Sequence, residues 1–314
     1  MRPISLVVTS YNQLDYLKKA LDSAAQQTYP FYEIVVVDDH STDGSADYLR
    51  GWSAQADNRK AVFHEKNKGR SATRNSGFAH VTGKYVAFLD GDDWLDANMC
   101  EVLSEASQDG RPDLIFFGHK NYNEALGTYV ERTHGNQFLS QEPLDCPSPH
   151  TDEEIAELFR LIPATWMKLY RREFLSENSI LSEGKYYEDT LWTLRCLAHA
   201  STIRCVPKTL IYYRFHGASL LHQCSKVHFA LFDISDQCEG FLSAAPELPD
   251  SFTAASRRFR YNISSNALLN TDRIPPDLKP QYAKNILERG ELLTFGMDDR
   301  EAEILNWVRE VALG

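Results

Sequence analysis

Nowhere in the 314 residues is there an apolar run of the roughly 18 residues that a bilayer-spanning helix needs, and Met1-Arg2-Pro3-Ile4-Ser5 passes into a strand pattern without a signal peptide's long apolar stretch. A cytoplasmic location is expected, with contact at the inner face of a membrane left open. Positive charge is also in short supply. Against 33 Lys and Arg stand 44 Asp and Glu, a formal net charge of −11, which argues against nonspecific nucleic-acid binding and against a polybasic anchor to anionic lipid. The six cysteines (Cys100, Cys146, Cys196, Cys205, Cys224 and Cys238) form no C-x-x-C and have no His partner at zinc-finger spacing, so neither a disulfide framework nor a structural zinc site is expected. Internal repeats and low-complexity tracts are missing. What the chain has is 43% hydrophobic residues, enough to bury a full core as one large domain with an extension or as two domains.

Apolar runs and helical spacings alternate through the first part. Residues 4–9 read as a strand, Leu14, Leu17, Leu21 and Ala24 recur at helical spacing, and residues 32–37 form the next strand. A helix over 45–56 follows, with Ser41 and Asp43 as turn or capping residues, then a short strand over 61–64, a helix reaching residue 79 and a strand over 85–90. Such a repeated strand-helix unit predicts a parallel sheet covered by helices, with nucleotide binding at the strand tips. Further on, the pattern predicts a helix over 99–107, a strand over 114–117 and pairing of 122–132 with neighbouring strands. Pro143, Pro147 and Pro149 mark a loop. Thr151 and Glu154 have the spacing of a capping box for a helix reaching 161. A strand over 166–170, helices over 172–178 and 189–199, and a strand over 209–215 complete this part; beyond about 225 the pattern is helical.

The most informative stretch is Asp90-Gly91-Asp92-Asp93, placed directly after the apolar run Tyr85-Val86-Ala87-Phe88-Leu89. Carboxylates crowded at the carboxyl end of a buried strand call for a cation, and carboxylates two residues apart suit a hard divalent ion such as Mg2+ or Mn2+. Other strand tips carry chemistry of their own. Thr9, Ser10, Tyr11 and Asn12 can hold a nucleobase and ribose by hydrogen bonding and stacking, or can simply make a turn. Asp38 and Asp39 offer carboxylates to a base N–H or to ribose hydroxyls, beside capping as the other reading. Gly69 permits close backbone approach, and Arg70 and Arg74 oppose a helix dipole unless an anion sits nearby. A diphosphate would be that anion; a solvated helix start is the alternative. Glu188-Asp189 is either a general base with its neighbour or a helix cap. Arg214 and His216 stand two apart on a strand end and face one way, a pair suited to metal or phosphate contact.

Together, Ser5 to Asn12 (SLVVTSYN), Ile34 to Gly44 (IVVVDDHSTDG), Asn67 to Asn75 (NKGRSATRN), Tyr85 to Trp94 (YVAFLDGDDW), Glu188-Asp189 and Tyr213 to Ser219 (YRFHGAS) resemble the successive signatures of family 2 glycosyltransferases with the GT-A fold. The resemblance covers roughly residues 3–220. It implies an α/β, Rossmann-like nucleotide-diphospho-sugar transferase domain over 1–220, with a nucleotide-binding half (1–100) and an acceptor half (101–220), followed by a helical C-terminal extension over 221–314. By the same resemblance Thr9, Tyr11 and Asp39 would hold uridine, with Asn12 and Gly69 lining the nucleotide-sugar site. Asp38 would shape the turn, and Arg74 would lie near the nucleotide. Asp90 would meet ribose or metal-bound water beside Gly91, while Asp92 and His216 would bind Mn2+ or Mg2+. Asp189 would be the catalytic base and Glu188 its neighbour at the acceptor. Lys168 and Trp166, in a segment resembling the approach to the acceptor site of bacterial members, and Arg214 would contact acceptor or phosphate, with core packing the other reading for Lys168 and Trp166.

Two positions depart from the pattern: His40 stands where small residues are common and Gly91 where Ser is common. The implied activity is inverting transfer from a UDP-sugar to a hydroxyl of a glycan or lipid-linked acceptor in bacterial surface-polysaccharide synthesis. No nucleic-acid partner is implied. The helical extension is a candidate for self-association or for approach to a lipid-linked acceptor. A sugar nucleotidyltransferase would need an early glycine-rich loop, and residues 5–12 contain no glycine. A noncatalytic nucleotide-sugar or scaffold module is the rival from another class.

Overall fold

Runs rich in Val, Ile and aromatic residues bury both faces of three of the first four strands, β1 (Ile4–Ser10), β2 (Glu33–Asp38) and β4 (Tyr85–Asp90), while β3 (Arg59–Phe63) is a partly exposed edge strand. In the computed structural model, which describes residues 3–130, 144–147, 151–161, 163–217, 223–269, 273–290 and 299–313, these pair in parallel in the order β3-β2-β1-β4. The order reverses between β1 and β4. At that switch point the strand tips are flush, with Thr9 beside Asp90 and Ser10 beside Asp38. The sheet continues through β9 (Lys168–Arg171), β6 (Leu114–Asn123), β10 (Thr202–Phe215) and β5 (Trp94–Leu95). β7 (Thr128–Val130) is paired to β6 and β8 (Leu144–Pro147) to β10, giving ten strands among the described residues.

Helices cover this sheet because their apolar residues recur on one stripe. α1 (Leu14–Ala25) buries Leu17, Ala20, Leu21 and Ala24, the i, i+3, i+4, i+7 pattern of a core-facing helix. Asp43 accepts from the N–H groups of Leu14 (2.8 Å) and Ser45 (3.0 Å), so one carboxylate caps the starts of both α1 and α2 (Ser45–Ser53). α3 (Arg70–Ala79) lies very close to the sheet at Gly77, where a Cβ would stand 2.3 Å from Val7 Cγ1. α4 (Met99–Ala106) and α6 (Arg172–Glu177) are short. α7 (Glu188–His199) is anchored by Trp192, whose ring meets Phe88 and Tyr170 edge-on at 5.7 Å each.

The chain divides into two compact units, Met1–His150 with Leu161–Phe215, and Thr151–Arg160 with His216–Gly314. The second begins five residues before the expected position 221 and takes in α5 (Asp152–Arg160), because Phe159 of that helix packs on Phe252 (5.1 Å) and Phe259 (6.2 Å). The capping box at its start is complete: Thr151 N donates to Glu154 Oε2 (2.7 Å) and Glu154 N to Thr151 Oγ1 (3.2 Å). α8 (Ala230–Ala244), α9 (Asp250–Leu269), α10 (Lys279–Gly290) and α11 (Asp299–Leu313) make up the rest, with Phe229, Phe232 and Tyr282 in mutual ring contact. Among the described residues no helix is long and apolar enough to cross a membrane.

Some elements differ from expectation. The strand expected over 166–170 opens as a 3-10 turn, Thr165–Met167, and only then extends as β9. β10 starts at Thr202, with Arg204, Pro207 and Lys208 interrupting its apolar pattern and irregular register between Val206 and Ile211. Pro147, expected in a loop, ends β8 at the sheet edge, where a missing N–H is tolerated. Pro143 and Pro149 lie outside the described residues.

Candidate active site

Three elements deliver charged side chains to the switch point. Arg74 projects from α3 one turn before Gly77 and is 1% exposed. Its Nη1 donates to Glu188 Oε1 (2.8 Å) and Asp189 Oδ1 (2.6 Å), while Nη2 reaches Asp90 Oδ1 (3.1 Å). One buried guanidinium thus gathers carboxylates from the end of β4 and the start of α7. The chain reaches α7 through Tyr187 in the left-handed region (φ 58°), a costly conformation for a bulky residue, and this turn sets Glu188 and Asp189 on the first helical turn. Arg70, exposed along part of its length, lies 3.6 Å from Glu188. The anion that offsets Arg74 is therefore this carboxylate trio, where the sequence pointed to a diphosphate.

The trio is unevenly perturbed. Burial works to raise Asp90, but Arg74, Arg70 and the Thr9 hydroxyl (3.2 Å) outweigh it, so its pKa falls below the ordinary value. Glu188 goes the other way: burial first and the charge of Asp189 next raise it, despite Arg74. Asp189 Oδ1 also accepts from the hydroxyl of fully buried Thr165 (2.6 Å), whose own carbonyl accepts from Tyr170 Oη (3.0 Å). Both bonds to Asp189 fall on Oδ1. Its Oδ2 has no protein partner among the described residues.

At the next tip, Asp39 accepts from Lys68 N (2.8 Å, Oδ1), Gly69 N (2.8 Å, Oδ2) and His64 Nδ1 (2.6 Å, Oδ1). Gly69 needs its glycine for φ 85° and ψ 165° at the start of α3. Asp38 accepts from Ser41 N (2.9 Å) and shapes the turn, in which His40 takes φ 68°. Asn12 (φ 50°) is a clamp: its Oδ1 accepts from Thr42 N (2.7 Å) and its N–H donates to Ser41 Oγ (2.9 Å). Tyr11 is half exposed and free to stack on a planar ligand.

Residues 5–177 match the family described as Glycosyl transferase family 2. The chain belongs to this family. Among curated relatives, glycosyltransferase GlyA of Streptococcus pneumoniae serotype 4 is 32% identical over 69% of this chain and 31% of its own length. The uncharacterized glycosyltransferase EpsJ of Bacillus subtilis is 28% identical over 69% of this chain and 62% of its own. The chain thus spans less than two thirds of either relative. Among solved structures, S. aureus TarS 1-349 in complex with UDP-GlcNAc superposes with a TM-score of 0.71 at 19% identity, over 98% of this chain and 88% of that one, a likeness of fold.

Within this family 2 chain the remaining predicted residues separate clearly. Gly91 has no room for a side chain, since a Cβ would stand 2.6 Å from the Thr9 carbonyl oxygen. Arg214 is built into the loop that carries Asp92: its Nε donates to the Asp92 carbonyl (2.8 Å) and its N–H to Asp93 Oδ1 (2.8 Å). Its guanidinium lies between the rings of Tyr16 (4.5 Å) and Trp94 (4.9 Å) and pairs with Glu124 (3.2 Å). Asp93 is buried, and burial followed by the charges of Asp92 and Asp90 raises it well above the ordinary carboxylate range. Lys168 has no exposed surface; it donates to the Ala164 carbonyl (2.8 Å), and burial lowers its pKa to about 8. Trp166 is stacked on Tyr213 (5.4 Å, 10°). Core packing, the second reading of Lys168 and Trp166, describes both. His216 directly follows the last residue of β10 and opens the second unit.

A divalent ion is the group this fold family implies. Among the described residues no three His, Cys, Asp or Glu side chains converge to hold one unaided. The chemistry fits an ion completed by its substrate: Mg2+ characteristically takes one or two protein carboxylates and fills its shell with water and phosphate oxygens. Within this loop Asp90 accepts from Arg74 and Thr9 and Asp93 from Arg214 N, and Asp92 is the carboxylate that would hold the ion. Sequence reading did not single out Thr165, Glu124, Tyr16 or His64. Their signal lies in spacing across the fold, not along the chain.

Proposed function

We propose that the chain is a metal-dependent, inverting glycosyltransferase that moves a sugar from a UDP-sugar to a hydroxyl of a glycan or lipid-linked acceptor, in bacterial surface-polysaccharide synthesis. The observation that carries the reading is the gathering of Asp90, Glu188 and Asp189 by buried Arg74 at the sheet's switch point, with Asp189 Oδ2 left unengaged. In this reading residues 1–100 bind the nucleotide, 101–220 face the acceptor and 221–314 form the extension. Thr9, Tyr11 and Asp39 hold the uridine, and Asp92 holds Mn2+ or Mg2+. The ion's contribution is Lewis-acid stabilisation of the charge on the departing diphosphate.

The acceptor hydroxyl then needs only one base. Arg74 and Thr165 fix Asp189 through Oδ1, so Oδ2 takes the proton as the hydroxyl attacks the anomeric carbon opposite the diphosphate, which inverts the configuration. General-base assistance of this kind is worth about 10²–10⁴-fold. UDP-GlcNAc, bound by the TarS structure, is the first sugar donor to test. The test is release of UDP from a panel of UDP-sugars with Mn2+ and with a chelator. Asp189→Asn should keep UDP binding and lose turnover by that factor. Near-normal turnover in this variant removes the base assignment, and UDP binding without turnover of any UDP-sugar favours a noncatalytic module.

A further inference from the structure

His64 is a buried imidazole with both ring nitrogens engaged, and nothing in the catalytic reading uses it. It sits just past β3, with Nδ1 2.6 Å from Asp39 Oδ1 and Nε2 2.9 Å from Ser76 Oγ. An ionised carboxylate only accepts, so Nδ1 carries the hydrogen, and in the neutral imidazole Nε2 then accepts from the Ser76 hydroxyl. A line of hydrogen bonds thus runs from α3 through His64 to Asp39. The carboxylate has about four acceptor positions. Lys68 N and His64 fill the two on Oδ1, and Gly69 N fills one of the two on Oδ2. One acceptor position on Oδ2 remains, with its direction fixed by the other three bonds.

We propose that His64 is a specificity-determining positioning residue: by occupying Asp39 Oδ1 it leaves the carboxylate a single oriented acceptor that selects a base presenting a ring N–H, as uracil does and cytosine does not. This rests on the reading of Asp39 as the uridine contact. Cytosine offers a lone pair at the same ring position, which would face a carboxylate oxygen across a buried gap, an unpaired contact that is expensive away from water. Without His64, Oδ1 regains an open position and the carboxylate is free to rotate. Selectivity for the base should then fall along with affinity.

Two near-isosteric variants separate this role from packing. Asn places an amide N–H close to where Nδ1 stands, and Gln places one close to Nε2. His64→Asn therefore keeps the bond to Asp39, whereas His64→Gln keeps only a partner for Ser76. Binding of UDP and CDP to the 314-residue chain should show UDP affinity within about threefold of the parent in H64N. In H64Q and H64A it should fall about tenfold, as for loss of a hydrogen bond to a charged group, with the UDP-to-CDP ratio shrinking in step. Equal UDP affinity in H64Q and the parent, or H64N as weak as H64A, would overturn the proposal while leaving the sugar-donor reading in place. A parent protein that binds no UDP removes that reading and this one with it.

Discussion

One guanidinium, that of Arg74, bonds Asp90, Glu188 and Asp189, with half-exposed Arg70 beside Glu188 and buried Lys168 adding positive charge toward Asp189. The excess negative charge is felt most at Glu188, which is 2% exposed and whose pKa is raised by burial and by Asp189. A carboxyl raised on folding binds more protons in the native state, so its contribution to stability declines as pH rises above its ordinary value of 4.5. At pH 7, above that ordinary value, the parent should carry a penalty. Glu188→Gln keeps an oxygen to accept from Arg74 and removes the charge, so its thermal midpoint should exceed the parent's at pH 7, with the gap closing below about pH 4.5. A gap independent of pH would place its origin elsewhere. The strand-tip carboxylates were legible in sequence because each motif is contiguous. Their partners were not: Thr165 lies 24 residues from Asp189 and Glu188 lies 114 from Arg74, and only folding places them within reach.

The position of that guanidinium depends on how closely α3 approaches the sheet. Gly77 makes the approach possible, and a Cβ there would meet Val7 Cγ1 at 2.3 Å and Val37 Cγ2 at 3.3 Å. Gly77→Ala must lift the helix or distort Val7, at a cost of about 1–3 kcal/mol, and Arg74 moves with it. Denaturant midpoints should fall in G77A. Adding Val7→Ala, which removes the clashing methyl, should make the double variant more stable than the sum of the single effects predicts; strict additivity would show that the helix does not bear on Val7. This closeness could not be read from the sequence, where Gly77 is an ordinary interruption of a helical pattern. β1, β2 and β4 were legible because double-sided burial demands continuous apolar runs. The early part of β10 was hidden because Arg204, Pro207 and Lys208 break the pattern of a strand that takes its place through pairing with β6 and β8.

At the scale of the molecule, chain order and packing order part company at α5. Residues 151–160 pack with the helical unit, and the chain then returns to the sheet at Leu161. α5 buries Ile155, Leu158 and Phe159, and Phe159 finds its ring partners in α9. A chain ending at Phe215 would keep every described strand yet leave this apolar face without α9, and an uncovered face of this kind favours association. Such a chain should elute as aggregates and bind a hydrophobic dye. The same truncation carrying Ile155→Glu, Leu158→Lys and Phe159→Ser should stay monomeric, since those substitutions remove the exposed apolar stripe while leaving the sheet's own residues untouched. A monomeric, dye-silent truncation with α5 unaltered would mean that the helix finds cover without α9. The second unit would then be an appendage; aggregation relieved by the three substitutions would make it part of what keeps the sheet-bearing unit soluble.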